Sequence, residues 1–381
     1  MNSKKPKVVE IVMGIATGCG DQISKKQSYM LNPLRVLEKR GFLPELWTLS
    51  KGKNKDRDSY EGIKVRKFPN TFSLLLHLFF DRDIKLVYAQ GRPYPPSLLS
   101  PLSFKKSVLV TQTYELGSNW LFKRISLFFM NMFTRIFALT PYEREEYIKN
   151  GLRSDRVVFS PHAIDYSFFS KKPKRSLDKI RKGYGIDNGD FVITTVANFR
   201  KFKNLDVMVE AFALFNKKVK NSKMLVVGKD QTRNPHYKEQ GSERYKEVGD
   251  VQEVIKKWGI SDSVIFTGGV DYKKVREALY VSDVFVNVSD PEGMGMAVYE
   301  AASAGVSLCL SSIGSFTSVF KDMVLYSRPR DKEKLAENYF HYYNNSILRN
   351  NSGKKLRQYM VEWDYPIAIK KFNNIFDEIL D

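Results

Sequence analysis

The sequence predicts an α/β protein with two parallel-sheet domains in tandem, on three observations. The chain has 381 residues, more than one hydrophobic core ordinarily organises. Apolar runs of strand length recur along it, many followed by stretches with helical apolar spacing, the pattern of βαβ units. Finally, the run Val284–Ser289 enters a glycine turn and then a small-residue helix, a layout that makes an anion site at the carboxyl end of a sheet.

Composition narrows the class. A hydrophobic fraction of 43% supports packed cores and excludes a disordered chain. The net charge is +20, with the excess heavier in residues 1–170. That points to an anionic partner (a phospholipid surface, a nucleic acid or a phosphorylated acceptor) or to charge that only solvates the fold. Cys19 and Cys309 stand far apart with no zinc or disulfide spacing, as expected in a reducing cytoplasm. Val8–Met13 is too short for the apolar core of a signal peptide, and no apolar run reaches membrane-spanning length. The expected location is cytoplasmic, with peripheral attachment to the inner membrane face as an option.

In order, Val8–Met13 reads as the first strand, entering the glycine-bearing loop Gly14–Asp21. Lys26–Arg40 has helical spacing and stops at Gly41, and Phe42–Leu49 is a second strand. Lys51–Arg57 is a charged loop. Ile63–Phe68, Ile84–Tyr88 and Lys106–Val110 read as strands and Phe72–Phe80 as a helix. Asp81-Arg82-Asp83 has a DxD pattern but precedes a strand as a turn, so no metal is expected there. Trp120–Phe137 is long and aromatic, with Lys123, Arg124 and Arg135 at its ends. It suits either an interfacial amphipathic helix or a core helix. Phe137–Tyr142 reads as a strand and turn, Glu143–Asn150 as a helix, and His162 as structural. Lys171–Arg175, with Pro173, reads as a linker.

The second half repeats the alternation: strands at Phe191–Val196, Lys223–Gly228, Val264–Val270, Val284–Ser289 and Val306–Leu310, with a helix from Leu205 to Lys218. Gln231–Gly249 reads as an insertion. In Asp290–Gly305, Pro291, Gly293 and Gly295 form a turn that presents backbone N–H groups, and the helix starts near Met296. Gly293, Met294, Gly295 and Met296 are therefore candidates for holding phosphate. Glu292 and Glu300 bracket the turn. An ionised carboxylate only accepts hydrogen bonds, so beside a phosphate site it suits hydroxyl groups of a ribose or sugar.

Two glutamates separated by seven residues, followed by Ala-x-x-x-Gly, resemble the signature of retaining GT-B glycosyltransferases of family 4, the "glycosyl transferases group 1" type. The resemblance covers nearly the whole chain in order. It implies two Rossmann-like domains facing a central cleft: residues 1–170 for the acceptor, residues 171–362 for the nucleotide sugar, and a helix in 363–381 crossing back. It implies a UDP- or GDP-linked donor, a glycan or lipid-linked acceptor, and no metal or other cofactor. Relatives place an arginine and, five residues later, a lysine in the loop after the first strand of the second domain. Lys203 matches the lysine, while Asn198 stands where the arginine would be, with Arg200 two residues on as the preferred replacement. Gly228 and Gly268 close strands whose following loops meet the donor in relatives. Gly18, Cys19 and Gly20 occupy the position of the family's first loop, and Tyr114 and Glu115 stand where relatives often carry a histidine or aspartate facing the sugar. Catalysis is assigned to Glu292, Arg200 and Lys203, and ribose binding to Glu300.

The sequence supports a polysaccharide- or glycolipid-building glycosyltransferase. Alternatives are a nucleic-acid-binding or DNA-modifying relative, for which charge is the only support, and an epimerase or inactive relative, left open by Asn198. No nucleic-acid motif is present, so no specific nucleic-acid partner is expected.

Overall fold

The computed structural model describes residues 5–12, 32–49, 58–60, 62–90, 95–111, 120–198, 200–229 and 251–381. The candidate residues Gly18, Cys19, Gly20, Tyr114 and Glu115, and the segments Lys51–Arg57 and Gln231–Gly249, lie outside them. The chain divides into two compact units, Met1–Ala163 with Pro366–Asp381, and Ile164–Tyr365.

In the first unit, eight strands form one sheet among the described residues: β1 Lys7–Ile11, β2 Leu43–Leu49, β3 Ser59–Tyr60, β4 Ile63–Phe68, β5 Ile84–Gln90, β6 Lys106–Val110, β7 Arg135–Ala138 and β8 Val157–Phe159. Their order is β3-β4-β2-β1-β5-β6-β7-β8, and every pair except β3–β4 is parallel. Side chains alternate between the two faces, and both faces are covered, which is why the strands read as nearly continuous apolar runs. One face packs Val9, Ile11, Trp47 and Val87 against Leu74 and Leu78 of the helix Thr71–Phe80. Farther along that face, Ala89, Leu109 and Ile136 meet Met130 of the helix Trp120–Met130. The opposite face carries Tyr88 and Phe137, and Phe372 and Phe376 of the helix Tyr365–Leu380 pack on Phe137.

In the second unit the strands are β9 Phe191–Val196, β10 Ser222–Val227, β11 Val264–Gly268, β12 Val284–Asn287, β13 Ser307–Ser311 and β14 Leu325–Ser327. Their order is β11-β10-β9-β12-β13-β14, all parallel. Numbered within the unit this is 3-2-1-4-5-6, so strand order reverses between β9 and β12. The helix Leu205–Asn216 is buried along most of its length, and Phe212 and Phe215 anchor the core against β9 and β10.

Two expectations are corrected by the packing, those for Trp120–Phe137 and for Lys171–Arg175. Trp120–Phe137 is not one helix: it ends at Met130, and Arg135–Phe137 enters β7, where Ile136 and Phe137 are buried between sheet neighbours. The described part of the Lys26–Arg40 helix begins at Asn32. Lys171–Arg175 does not separate the units. Residues from Ile164 onward already pack with the second unit, because the Ile164 N–H donates to Trp363 O at 3.0 Å, the Tyr365 N–H to Ile164 O at 3.0 Å, and the Arg276 guanidinium lies 4.1 Å over the Phe168 ring. His162 is buried, and burial pushes its imidazole down to about 4. Asp81 is the C-terminal cap of Thr71–Phe80 and pairs with Lys7 at 2.8 Å.

Candidate functional site

Strand order reverses between β9 and β12, the place where doubly wound sheets commonly take a ligand at the carboxyl ends of their strands. After β9 comes the loop Ala197–Asn204, and after β12 the loop Val288–Gly295. They are knitted together. The Asp290 N–H donates to Phe202 O at 2.8 Å, and Asn204 Nδ2 donates to Val288 O at 2.8 Å. Asn204 is held in the left-handed region, with φ 51°, a conformation asparagine tolerates better than most residues. A third strand end joins them: Ser311 Oγ donates to Ser289 O at 2.8 Å, and Ser315 Oγ to Glu292 O at 2.7 Å.

On this platform the Lys203 ammonium and the Glu292 carboxylate form an ion pair. Both are mostly buried, with side-chain exposures of 17% and 13%. Such a pair is stronger than a surface one because little water screens it, and either partner left alone there would be costly. The structure thus brings two sequence-predicted residues into contact across a separation of 89 positions.

Beside the pair, the helix Met296–Ala304 begins at Gly295, whose φ of 68° is open to glycine at little cost. A Cβ there would lie 3.1 Å from the Phe316 ring and 3.2 Å from Glu292 Cγ, so the position also needs a small residue for space. Gly295 offers no side-chain cap. The Val298 N–H already donates to Gly295 O at 2.8 Å, and the N–H groups that start the helix carry the positive end of its dipole. The helix closes at Gly305, whose N–H returns to Ala302 O at 3.0 Å. Gly293 and Met294 are buried in the turn.

Glu300 belongs to a different set of contacts. It is buried one turn into the helix and accepts a hydrogen bond from Tyr272 OH at 2.7 Å. Burial raises its carboxyl to about 7, with the Tyr272 bond pulling the other way and Asp165 adding to the rise. Tyr272 is itself held by Phe169, ring centroids 5.6 Å apart. The two carboxylates therefore differ in kind: Glu292 is paired with a cation, and Glu300 is half-protonated near neutrality.

Asn198 and Gly228 form a third cluster. A Cβ on Gly228 would sit 1.9 Å from Ala197 O, so β9 and β10 end in direct backbone contact. The Gly228 N–H donates to Gly268 O at 3.1 Å. Asn198 Oδ1 accepts from the Lys229 N–H at 3.2 Å, which makes this asparagine a tie between two strand-end loops. Arg200 has extended backbone, and its carbonyl accepts the Lys203 N–H at 2.9 Å, placing it one short turn before the ion pair.

Three contributors escaped the sequence. Tyr272 is the partner of Glu300, Ser315 fastens the Glu292 backbone, and Lys229 lays its aliphatic stem over Gly269. Hydroxyls and lysines of this kind carry no pattern in a single chain. The one usable signal was their place just past predicted strand ends.

Residues 176–359 match the family model described as "Glycosyl transferases group 1". The chain is 26% identical over 220 residues to N-acetyl-alpha-D-glucosaminyl L-malate synthase of Bacillus anthracis, covering 56% of this chain and 53% of that one. It is 24% identical over 152 residues to alpha-monoglucosyldiacylglycerol synthase of Streptococcus pneumoniae, covering 39% of this chain and 31% of that one. The match thus spans about half or less of these relatives' length. In fold, it is similar to Anabaena HepE in complex with UDP, with a TM-score of 0.78 at 13% identity over 98% of this chain and 100% of that one.

Proposed function

We propose, from the match of residues 176–359 to the glycosyl transferases group 1 model and from the GT-B fold, that the protein moves a sugar, with retained configuration, from a nucleotide-sugar donor to a glycan or lipid-linked acceptor. The observation that carries the reading is the Lys203–Glu292 pair set beside an uncapped helix N-terminus where strand order reverses.

Each group has a task that its chemistry allows. When the bond from anomeric carbon to phosphate oxygen breaks, the leaving nucleoside diphosphate gains negative charge. Fixed cations and N–H groups stabilise that charge without reorganising. Lys203, Arg200 and the N–H groups of Gly295 and Met296 take this part. Glu292 accepts hydrogen bonds from donor-sugar hydroxyls and offsets positive charge at the anomeric carbon. Glu300 accepts from the ribose hydroxyls. The acceptor hydroxyl attacks from the face the phosphate leaves, its oxygen bonds to the anomeric carbon, and the departing phosphate oxygen takes its proton. The donor is UDP- or GDP-linked in this proposal, and the UDP complex of the structural relative supports a uridine nucleotide. The relatives named for malate and for a glucosyldiacylglycerol support a small or lipid acceptor bearing a hydroxyl group.

The test is donor hydrolysis and binding across UDP-, GDP-, ADP- and TDP-sugars. One nucleotide should bind and be hydrolysed, with hydrolysis reduced by Glu292→Ala. Absence of binding across the panel would remove the proposal.

A further inference from the structure

Large apolar side chains collect in the open on one face of the first unit. The helix Thr71–Phe80 buries only Leu74 and Leu78 and exposes Phe72, Leu76, Phe79 and Phe80. The helix Trp120–Met130 buries Ser126 and Met130 and exposes Trp120, Ile125 and Phe128, among others. Both helices pack on the same side of the sheet, since Leu74 and Leu78 meet Val87 of β5 and Met130 shares a cluster with Ala89, two residues along that strand. Between them lies the turn of Ser100–Ser103 ending in Phe104. Its ring is 82% exposed and stands 6.3 Å from Phe79. Phe104 also has φ 57°, a left-handed backbone that bulky residues rarely adopt and that glycine or asparagine would take more easily. A phenylalanine kept in a strained and solvent-facing position points to a use outside the fold.

The charge pattern selects the partner. Residues 71–80, 95–106 and 120–130 contain no aspartate or glutamate, whereas they include the half-buried Lys105, Lys106 and Lys123 and the exposed Arg124. Arg124 lies 5.9 Å over the Trp120 ring. Aromatic rings edged by cations match an anionic lipid interface, where rings enter the headgroup boundary and ammonium and guanidinium groups meet phosphates. A second copy of the chain is a poorer match, because a symmetric contact would set these cations against one another. Among the described residues no helix is long and apolar enough to cross a membrane, so the contact is with the surface.

We propose that this face, formed by Thr71–Phe80, the Phe104 turn and Trp120–Met130, docks the protein on an anionic leaflet. The inference deepens the proposed function, since a lipid-linked acceptor would be met there, but docking can be measured without any acceptor. The full-length protein is floated with vesicles of phosphatidylcholine alone and of phosphatidylcholine and phosphatidylglycerol in equal parts, at low and high salt. Wild type should float with the anionic vesicles at low salt. The variant F80S/F104S/W120S/F128S should lose about tenfold or more in partition. K123E/R124E should lose about tenfold on anionic vesicles only. Phe80, Phe104, Trp120, Arg124 and Phe128 are exposed and Lys123 is half-buried, and donor hydrolysis without vesicles should stay at the wild-type level. Failure of wild type to float at low salt, or undiminished flotation of the apolar variant, overturns docking. So does a dimer that the apolar variant converts to monomer while vesicles bind neither. Flotation lost with donor hydrolysis intact sinks only the docking, and hydrolysis absent with flotation intact sinks only the glycosyltransferase reading.

Discussion

The two sheets share a parallel 3-2-1-4-5-6 core order, to which the first adds the edge strands β3 and β8, and they differ in what they do with it. In the second unit, the loops at the carboxyl ends of β9, β12 and β13 are tied by backbone and serine hydrogen bonds into one polar platform carrying the Lys203–Glu292 pair. In the first unit, the feature that stands out is on a sheet-covering layer: most of the large apolar side chains exposed among the described residues belong to it. One doubly wound scaffold thus supports a fixed, charged ligand edge in one unit and an apolar, cationic outer face in the other. Topology dictates where a ligand edge lies. Only side chains decide whether a covering helix is finished for water or left for something else.

The sharpest way to break the comparison is to damage one unit and watch the other. At Gly228 an added Cβ would stand 1.9 Å from Ala197 O, so Gly228→Ala must push β9 and β10 apart at their ends. We expect a loss of the order of 3 kcal/mol, seen as lost hydrogen-exchange protection in residues 164–365 alone. Equal loss in both units would mean that they do not unfold separately. A smaller effect is expected within the platform. Removing a charged hydrogen-bonding group costs roughly 1.5–3 kcal/mol, so Glu292→Ala should lower turnover by about tenfold or more in single-turnover assays while donor affinity changes less. Unchanged turnover would remove Glu292 from its assigned role.

Glu300→Gln should behave differently, since Glu300 is buried and not paired with a cation. Its carboxyl is raised from 4.5 unfolded to about 7 folded. Above pH 4.5 the unfolded chain releases this proton while the native chain keeps it, so the wild type carries a stability penalty that grows as pH rises and is complete above about 7. Glu300→Gln lacks that penalty. Its stability relative to wild type should therefore rise between these pH values by about 1–3 kcal/mol. Donor affinity should move the other way. Wild type should bind more tightly as pH rises through about 7 and the carboxylate forms, whereas the Gln variant should bind weakly with no such dependence. A flat wild-type profile would show that the ionised form is not what the ribose meets. The smallest effect is expected at Phe104→Ser. The ring is 82% exposed, so stability should change by no more than about 0.5 kcal/mol. A large loss would mean that the ring serves the core after all.

Much of the second unit was legible because local signals and the global fold agree there. Strand, glycine turn and small-residue helix at Val284–Gly305 each have their own chemistry, and the structure has them within a residue or two. Lys203 was singled out only through the family resemblance, which places a lysine in this loop. Tyr272 was not, because its link to Glu300 is made by the packing of two helices that no periodicity connects. The Asn198 tie to the Lys229 N–H was not legible for a similar reason, since that contact depends on strand order. Trp120–Phe137 was read as one element because its apolar density is continuous, and density alone does not distinguish a helix from the strand that follows it.

The Lys203–Glu292 pair has a further consequence for the proposed reaction cycle. In the resting protein the glutamate is the lysine's counterion. In the proposed cycle a donor diphosphate takes that place, which costs affinity but leaves the glutamate unpaired just when a sugar arrives beside it. After transfer the exchange runs backward. Glu292 competes with the spent nucleotide for Lys203 and so hastens its departure, making the same carboxylate a built-in eluent against product inhibition. Glu292→Gln should then be inhibited by lower concentrations of free nucleoside diphosphate than wild type, and equal inhibition would show that the pair plays no part in release.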